Sequence, residues 1–231
     1  MKIHDSHGFD VPYREAVRLQ ESLRKRLILH DRYLPRRPAI IAGADISYGR
    51  GQNLFFAAVV LLTYPELTVV EEAYASLPST FPYIPGLLSF REGPALLEAF
   101  ARLRRTPDVI IFDGQGIAHP RGIGLASHMG LILGIPSIGC AKSRLVGTHD
   151  LVGSRAGSHV DLVYDEKVVG AVLRTKDGIK PVFVSPGHKI SLKSATEMVL
   201  TCCAGYRLPE PVRKAHGAVN RFRREQEPTA G

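Results

Sequence analysis

The sequence predicts an α/β fold in which a mixed central sheet begins with an antiparallel meander and is flanked by helices. The meander is predicted by three apolar segments that follow one another closely between residues 39 and 76. Beyond residue 90 the pattern changes, and short apolar runs alternate with stretches of helical periodicity. Closely spaced strands pair antiparallel, whereas strands separated by helices pair parallel, so both arrangements are expected in one sheet.

The first half of the chain begins with a predicted amphipathic helix over residues 13–29, whose apolar stripe includes Leu19 and Leu23. Three apolar segments after it are predicted as the strands of the meander: 39–47, 55–64 and 67–76. The Pro65-Glu66 dipeptide between the last two is typical of a tight turn. These two strands are therefore expected to form an antiparallel hairpin.

The second half of the chain is predicted to alternate helices with short strands. Helical periodicity covers residues 90–104 and 123–133, and a further helix is expected to begin at Ser191. The apolar runs at 108–112 and 136–140 are typical of buried parallel strands. Three alternating segments are predicted as edge or flanking strands: 159–164, 168–174 and 180–184.

The chain is predicted to form one domain over residues 1–220, because no repeat and no linker rich in Pro, Gly or Ser divides it. After Asn220 the sequence becomes strongly charged (RFRREQEPTAG), so residues 221–231 are expected to be a disordered tail.

The composition favours a polyanionic partner. The chain of 231 residues carries a formal net charge of +8, and its isoelectric point is about 9.6. Such a charge attracts nucleic acid in particular, although many basic proteins never bind it. The odd number of cysteines, Cys140, Cys202 and Cys203, suits free thiols in a reducing compartment. The first residues lack the apolar core of a signal peptide, and no apolar run is long enough to span a bilayer. A cytoplasmic location without a membrane partner is therefore expected.

Two aspartates stand out by their positions in predicted strands. Asp45 interrupts the apolar run that begins at Ile40, and a buried carboxylate needs a partner such as a cation or a hydrogen-bond donor. Asp113 directly follows the run 109–112, at the carboxyl end of a strand, where open α/β sheets place ligands. Ordinary structural roles remain open for both, as a strand-end Asp with a backbone or Arg partner and as an Asp-Gly turn.

Glu92 permits two interpretations. With Ser89 it fits a capping box, in which Ser89 is the N-cap of a helix and Glu92 bonds back to its backbone N–H. The first turn of a helix beside a strand could also direct this carboxylate at a metal. As a set in a basic protein, Asp45, Glu92 and Asp113 suit metal-dependent phosphodiester hydrolysis.

Six short segments add a more specific signal: 43–48 (GADISY), 81–86 (FPYIPG), 88–92 (LSFRE), 113–121 (DGQGIAHPR), 139–145 (GCAKSRL) and 209–216 (PEPVRKAH). In this order they resemble the motifs of the endonuclease V family, and together they extend over most of the chain. The resemblance implies an RNase H-like fold and hydrolysis with Mg²⁺, for which Mn²⁺ can substitute. It also implies cleavage of DNA at the second phosphodiester 3′ of a deaminated base such as deoxyinosine, leaving 3′-hydroxyl and 5′-phosphate ends.

The resemblance also implies roles for five residues. Asp45, Asp113 and Glu92 would be metal ligands, Lys142 would pair with the scissile phosphate or orient the attacking water, and His216 would bind metal through water or transfer a proton. A solvated Lys142 and an exposed His216 in a basic tail are the ordinary alternatives. Deaminated DNA is the expected partner and a monomer is the default state. Inosine in RNA, flap or mismatch cleavage, and non-catalytic binding of deaminated nucleic acid remain alternatives.

A recognition surface is expected around the loop at 81–86. Two prolines stiffen it, and Tyr83 offers a flat ring that can replace the stacking of an extruded base. Ordinary packing of a Pro-rich turn is the alternative. The residues assigned to this surface or to the pocket for the base are Pro82, Tyr83, Ile84, Pro85, Gly86, Leu87, Leu88, Arg91, His119, Gly122 and Ile123. Basic residues at 24–26, 104–105, 121, 144 and 213–214 are candidates for phosphate contacts.

Overall fold

The computed structural model describes residues 7–49 and 54–227. Its strands form one mixed eight-stranded sheet in the order β3-β2-β1-β4-β5-β8-β7-β6. The strands are β1 (Ile40–Tyr48), β2 (Leu54–Thr63), β3 (Val69–Pro78), β4 (Val109–Phe112), β5 (Ser137–Ala141), β6 (His159–Tyr164), β7 (Lys167–Leu173) and β8 (Val182–His188). The helices are α1 (Tyr13–Arg24), α2 (Leu88–Ala101), α3 (Leu125–Leu133), α4 (Leu192–Thr201) and α5 (Glu210–Gln226), with a short 3₁₀ turn at Asp31–Tyr33.

The pairing of the strands confirms the predicted mixed sheet. Strands β1, β2 and β3 form an antiparallel meander, and β4 and β5 join β1 in parallel. Both short parallel strands are buried along their whole length, as expected for strands covered on both faces. Strands β8, β7 and β6 then extend the sheet antiparallel, so that β8 lies inside the sheet and β6 forms its edge.

Two helical layers cover the sheet. One core cluster joins α2 and α3 to residues such as Ala42 and Phe112, and the other joins α4 and α5 to residues such as Ile41 and Ile111. Adjacent strand residues thus point to opposite layers, as the pleat requires. Gly43 allows α5 to approach β1 closely, because a Cβ at this position would lie 1.9 Å from the carbonyl oxygen of Pro211. This contact sets the N-terminal half of α5 beside Asp45.

The expectation of a disordered tail from residue 221 is wrong for residues 221–226, which continue α5. The helix is stabilised because Val212, Ala215 and Val219 are buried against the sheet and Phe222 packs on the same cluster. Residues 228–231 of the predicted tail lie outside the described residues.

The helix predicted over 13–29 ends early, at Arg24. The backbone of Ile28 instead exchanges hydrogen bonds with the end of β8: its carbonyl accepts from Lys189 N at 2.6 Å, and its N–H donates to His188 Nδ1 at 3.3 Å. These contacts draw the chain out of the helix. Among the described residues, no helix is both long and apolar enough to cross a membrane.

Candidate active site

The three predicted carboxylates line one cavity of about 300 Å³. Asp45 lies on β1 at the centre of the sheet, Asp113 follows β4, and Glu92 lies in the second turn of α2. Tyr48, Lys142 and His216 contribute to the same wall. The structure therefore brings together the five residues to which the resemblance gave catalytic roles.

His216 is the partner of Asp45. Its Nδ1 lies 2.8 Å from a carboxylate oxygen of Asp45, and Asn220, one helical turn further along α5, places its amide nitrogen 3.2 Å from Nε2. The Asn220 amide oxygen accepts from the hydroxyl of Ser47 at 3.0 Å. Because the Asn220 amide nitrogen donates to Nε2, Nδ1 is assigned as the nitrogen that donates to Asp45. Burial raises the pKa of Asp45 above its ordinary value, and the bond from His216 opposes that rise.

Tyr48 is the partner of Glu92, and its hydroxyl donates a short hydrogen bond to the carboxylate. Burial raises the pKa of Glu92 to about 7, the Tyr48 hydroxyl opposes the rise, and the charges of Asp45 and Asp113 add to it. Glu92 is only 6% exposed, so water does little to stabilise its carboxylate, and the hydrogen bond from Tyr48 favours the ionised form.

The capping-box interpretation of Glu92 is wrong. Helix α2 begins at Leu88 without a side-chain cap, so Ser89 is already inside the helix. Its hydroxyl bonds to Nδ1 of the buried His128 at 2.8 Å. Glu92 therefore points into the cavity and is not needed to close the helix end.

Lys142 is the partner of Asp113, with which it forms a close ion pair. The position of Lys142 is fixed through its backbone, since its carbonyl accepts from the Arg207 guanidinium at 2.6 Å. The same guanidinium donates to the carbonyls of Lys180 and Pro181, at 2.9 Å each. Arg207 thus ties the segment after β5 to the segment that leads into β8.

The donor set suits a hard divalent cation, because three carboxylates from three elements face one cavity. Within the described residues, however, no group of three or more His, Cys, Asp or Glu side chains is close enough to hold a metal ion. Each carboxylate is instead held by its own donor: Tyr48, Lys142 or His216. The ligand chemistry fits the expected metal, and small movements of these side chains would be needed to bring the oxygens together.

A second cavity of about 360 Å³ adjoins the first. The two cavities share Leu88, Asp113, Leu125 and Lys142 as lining residues. Tyr83 stands at the second cavity with 68% of its surface exposed. A group inserted here would therefore lie directly beside the carboxylates.

The carbonyl of Gly86 is a point of convergence in the wall of this second cavity. It accepts from His119 Nε2 at 3.1 Å, from the Arg121 guanidinium at 2.6 Å and from the side chain of Gln20 at 2.9 Å. Gly86 has a φ of +79°, which favours glycine. Burial and then the Arg121 charge lower the pKa of His119 to about 4, so the ring is neutral and donates through Nε2.

The predicted recognition residues divide into two groups. Those that line the second cavity are Tyr83, Ile84, Pro85, Gly86, Leu88 and His119. Those that do not are Pro82, Leu87, Arg91, Gly122 and Ile123. Ile123 is packed in a cluster with Leu23 and Leu131, and the Arg91 guanidinium lies 5.1 Å from the centre of the Phe55 ring. Of the predicted phosphate-binding positions, Arg144 lines the cavity.

Four polar residues that line these cavities or hold their lining residues were missed by the sequence reasoning: Gln20, Tyr48, Arg207 and Asn220. Tyr48 could have been found, because it ends the strand that carries Asp45. Asn220 lies four residues after His216 and faces it only in a helix, which the sequence analysis did not predict there. Gln20 and Arg207 donate to backbone carbonyls of segments distant in sequence, and no sequence pattern predicts such contacts.

Comparison with known proteins adds an independent result. A family model described as Endonuclease V matches residues 21–217. An endonuclease V from Trichormus variabilis is 46% identical over 215 residues, which cover 93% of this chain and 97% of that protein. The crystal structure of an endonuclease V from Streptomyces avermitilis superposes with a TM-score of 0.90 at 39% identity, covering 97% of this chain and 99% of that one.

The endonuclease V of Ciona intestinalis, crystallised with a 24mer DNA that contains an inosine followed by a ribo-adenosine, gives a TM-score of 0.81 at 27% identity. This superposition covers 93% of the present chain and 98% of the other. The structural neighbours confirm the RNase H-like fold that the resemblance implied.

Proposed function

Because the chain belongs to the endonuclease V family, a family of nucleases, we propose that it nicks DNA beside deaminated bases such as deoxyinosine. The proposed cut is at the second phosphodiester 3′ of the altered base and leaves a 3′-hydroxyl and a 5′-phosphate. The proposed cofactor is Mg²⁺, with Mn²⁺ as a substitute. The Ciona intestinalis relative binds inosine-containing DNA, which supports the choice of substrate.

The observation that carries this proposal is the junction of the two cavities. One is lined by three carboxylates, which suit a metal-dependent hydrolase, and the other is bordered by an exposed aromatic ring and apolar walls, which suit an extruded base. Asp113 and Lys142 belong to both. A nucleotide bound in the second cavity would hold its neighbouring backbone near the first.

The proposed chemistry assigns a task to each residue of the carboxylate cavity. Asp45, Glu92 and Asp113 would hold the cation, which when bound neutralises the phosphate and activates a water. Lys142 would turn its ammonium from Asp113 to a phosphate oxygen, since phosphate charge develops during cleavage. His216 would keep a proton at Nδ1, from which it orients Asp45, and its exposed ring is open to exchange protons with water.

Substrate binding would use Tyr83, Arg144 and, in a second role, Lys142. Tyr83 would fill the gap that the extruded base leaves in the stack, because its ring is exposed and the flanking prolines stiffen the loop. Lys142 and Arg144, which line the second cavity, are placed to contact phosphates around the extruded nucleotide. The net charge of +8 would attract the duplex as a whole.

The test is nicking of a duplex oligonucleotide that contains one deoxyinosine, with and without Mg²⁺. The proposal expects a single nick at the stated bond only with the metal. The unmodified duplex and the Asp113→Asn variant are the controls, and both should remain uncut. An inosine-containing RNA of the same sequence decides between DNA and RNA as the preferred substrate. Cutting of RNA alone would contradict the proposed substrate, and specific binding without cutting would make the protein a non-catalytic reader of deaminated bases.

A further inference from the structure

Gln20 is a buried polar side chain in a position that the proposed chemistry does not use. It lies on α1 between the buried apolar residues Ala16 and Leu23, and only 1% of its surface is exposed. Burial of an amide is costly unless its donors and acceptor are satisfied. The partners of this amide therefore indicate why a glutamine stands in an otherwise apolar stripe.

The partners of Gln20 belong to two segments whose other residues line the second cavity: the loop that ends at Gly86 and the segment between β4 and α3. Its amide nitrogen donates to the Gly86 carbonyl at 2.9 Å and to the Ile123 carbonyl at 3.4 Å. Its amide oxygen accepts from Nε of Arg121 at 2.5 Å. Gly86 ends the loop that carries Tyr83, whereas Arg121 and Ile123 belong to the segment between β4 and α3. One side chain thus joins two walls that are distant in sequence.

The contact with Gly86 is part of a larger arrangement that depends on Gln20. Arg121 reaches the same carbonyl through its guanidinium, and Gln20 fixes the other edge of that guanidinium. A Cβ at position 86 would lie 2.7 Å from the guanidinium, so the space around this carbonyl is already filled. The Tyr83 loop is therefore held by the charge-assisted hydrogen bond from Arg121 to the Gly86 carbonyl, and Gln20 orients the guanidinium that donates it.

We propose that Gln20 is a positioning residue for base recognition, which fixes the Tyr83 loop against the opposite wall and so sets the width of the pocket for the base. The inference rests on the proposed function. Gln20 touches neither the carboxylates nor the scissile bond, so its loss should affect binding of the altered base and leave the chemical step unchanged. This separates it from a residue that merely stabilises the fold.

The test replaces Gln20 with methionine, which keeps the length of the side chain and removes its polar atoms. Affinity is measured without metal for an inosine duplex and for the undamaged duplex, and single-turnover cleavage is measured at saturating enzyme. We expect the affinity for the inosine duplex to fall by roughly 10- to 100-fold, the range for leaving buried groups unsatisfied. Affinity for undamaged duplex and the saturated cleavage rate should stay close to wild type. Glu21→Met, on the exposed side of the same helix, is the matched control.

A second measurement does not depend on the substrate. Amide hydrogen exchange of residues 81–88 should accelerate in Gln20→Met, because the loop loses its anchor. Gln20→Glu provides a second variant: its ionised carboxylate retains the acceptor for Arg121 but cannot donate to Gly86, and the variant should also accelerate exchange and weaken the preference for inosine.

The outcomes separate the two proposals. A wild-type protein that binds both duplexes equally contradicts the proposed function, whatever the variants do. The role of Gln20 is overturned if wild type prefers the inosine duplex and the Gln20 variants keep both this preference and the wild-type exchange rate in the loop. Equal losses on both duplexes together with a lower melting temperature also overturn it, since they show a purely structural side chain.

Discussion

Replacement of Tyr48 by phenylalanine removes one hydroxyl from the candidate active site and leaves the ring in place. The ring packs edge-on against Phe55, with centroids 4.9 Å apart, so phenylalanine should fill the same space. What is lost is the hydrogen bond to the buried carboxylate of Glu92. The substitution therefore tests whether this bond keeps Glu92 available as an anionic ligand.

The magnitude follows from the pKa of Glu92. Its rise from 4.5 to about 7 means that ionised Glu92 in the folded protein is less favourable by roughly 3 kcal/mol. A hydrogen bond to a charged group contributes roughly 1.5–3 kcal/mol, so its removal should raise the pKa by a further one to two pH units or so. At pH 7 Glu92 would then be mostly protonated. A carboxyl with a raised pKa makes its full contribution to stability below its unfolded pKa and loses it as the pH rises through its folded pKa. Without metal, the stability of wild type should therefore fall between pH 4.5 and about 7, and that of the variant should continue to fall for a further one to two pH units or so.

The assay is single-turnover nicking of the inosine duplex as a function of pH and of Mg²⁺ concentration. Tyr48→Phe should be roughly 5- to 50-fold slower than wild type at pH 7 and limiting Mg²⁺, because the ionised fraction of Glu92 falls by that factor, and the rate should recover as the pH or the Mg²⁺ concentration is raised. Tyr74→Phe is the matched control, because Tyr74 also donates to a glutamate, Glu72, but at an exposed site. Superimposable pH and Mg²⁺ profiles for Tyr48→Phe and wild type would refute the reasoning.

Three other predictions concern the metal, the wedge and the core. Asp113→Asn should lower Mg²⁺-dependent cleavage by roughly 100-fold or more while most DNA affinity remains, and cleavage near the wild-type rate at saturating Mg²⁺ would exclude Asp113 as a ligand. Tyr83→Ala should lower the cleavage rate of the duplex inosine substrate by roughly 5- to 150-fold, because about 1–3 kcal/mol of stacking is lost. The loss should be smaller on single-stranded substrate, and Tyr83→Phe should cleave nearly like wild type. Equal losses on both substrates would contradict the role of Tyr83 as a wedge. Burial lowers the pKa of His128 from 6.5 to about 3, so the stability present above pH 6.5 should fall toward pH 4 by up to about 1.4 kcal/mol per pH unit. Urea denaturation should show that the free energy of unfolding falls less between pH 6.5 and pH 4 in His128→Asn than in wild type. An equal dependence on pH in the two proteins would contradict the assignment to His128.

The sheet could be predicted because its signals are local. The run 109–112 is uniformly apolar and becomes a strand buried on both faces, and the spacing of the segments at 55–64 and 67–76 leaves room only for a hairpin. Asp45 could be singled out because a carboxylate inside such a run is unusual, and Asp113 because it follows a strand at the end where α/β sheets place ligands. Their meeting in one cavity follows from the parallel pairing of β1 and β4.

Helix α5 could not be found in the same way. Its sequence is dominated by charged residues, and its apolar stripe, which includes Val212, Ala215 and Val219, is narrow. Most of its stability must come from packing on the sheet and little from its own propensity. Pro211 lies in the first turn, where proline is compatible with a helix. The position of His216 was consequently known by resemblance alone.

The partners of the carboxylates were equally beyond the sequence, because hydrogen bonds across distant segments leave no periodic pattern. Glu92 illustrates the point. The spacing from Ser89 to Glu92 fits a capping box, yet the helix begins before Ser89 and the hydroxyl bonds to His128. The helix begins two residues earlier than the capping box requires, and this shift leaves Glu92 free to face the cavity. Boundaries of this kind depend on tertiary contacts.

The ion pair between Lys142 and Asp113 would couple the proposed binding of a cation to that of a phosphate. Lys142 cannot give its full charge to Asp113 and to a phosphate at once, so a phosphate that attracts the ammonium exposes the Asp113 oxygen to a cation. A cation that occupies this oxygen in turn frees Lys142 for the phosphate. Coupling of this kind is reciprocal in free energy, and each ligand must raise the affinity of the other. If the chain nicks DNA with a divalent cation as proposed, the cation should therefore bind more tightly when DNA is present than when it is absent, and the net charge of +8 favours the encounter with DNA.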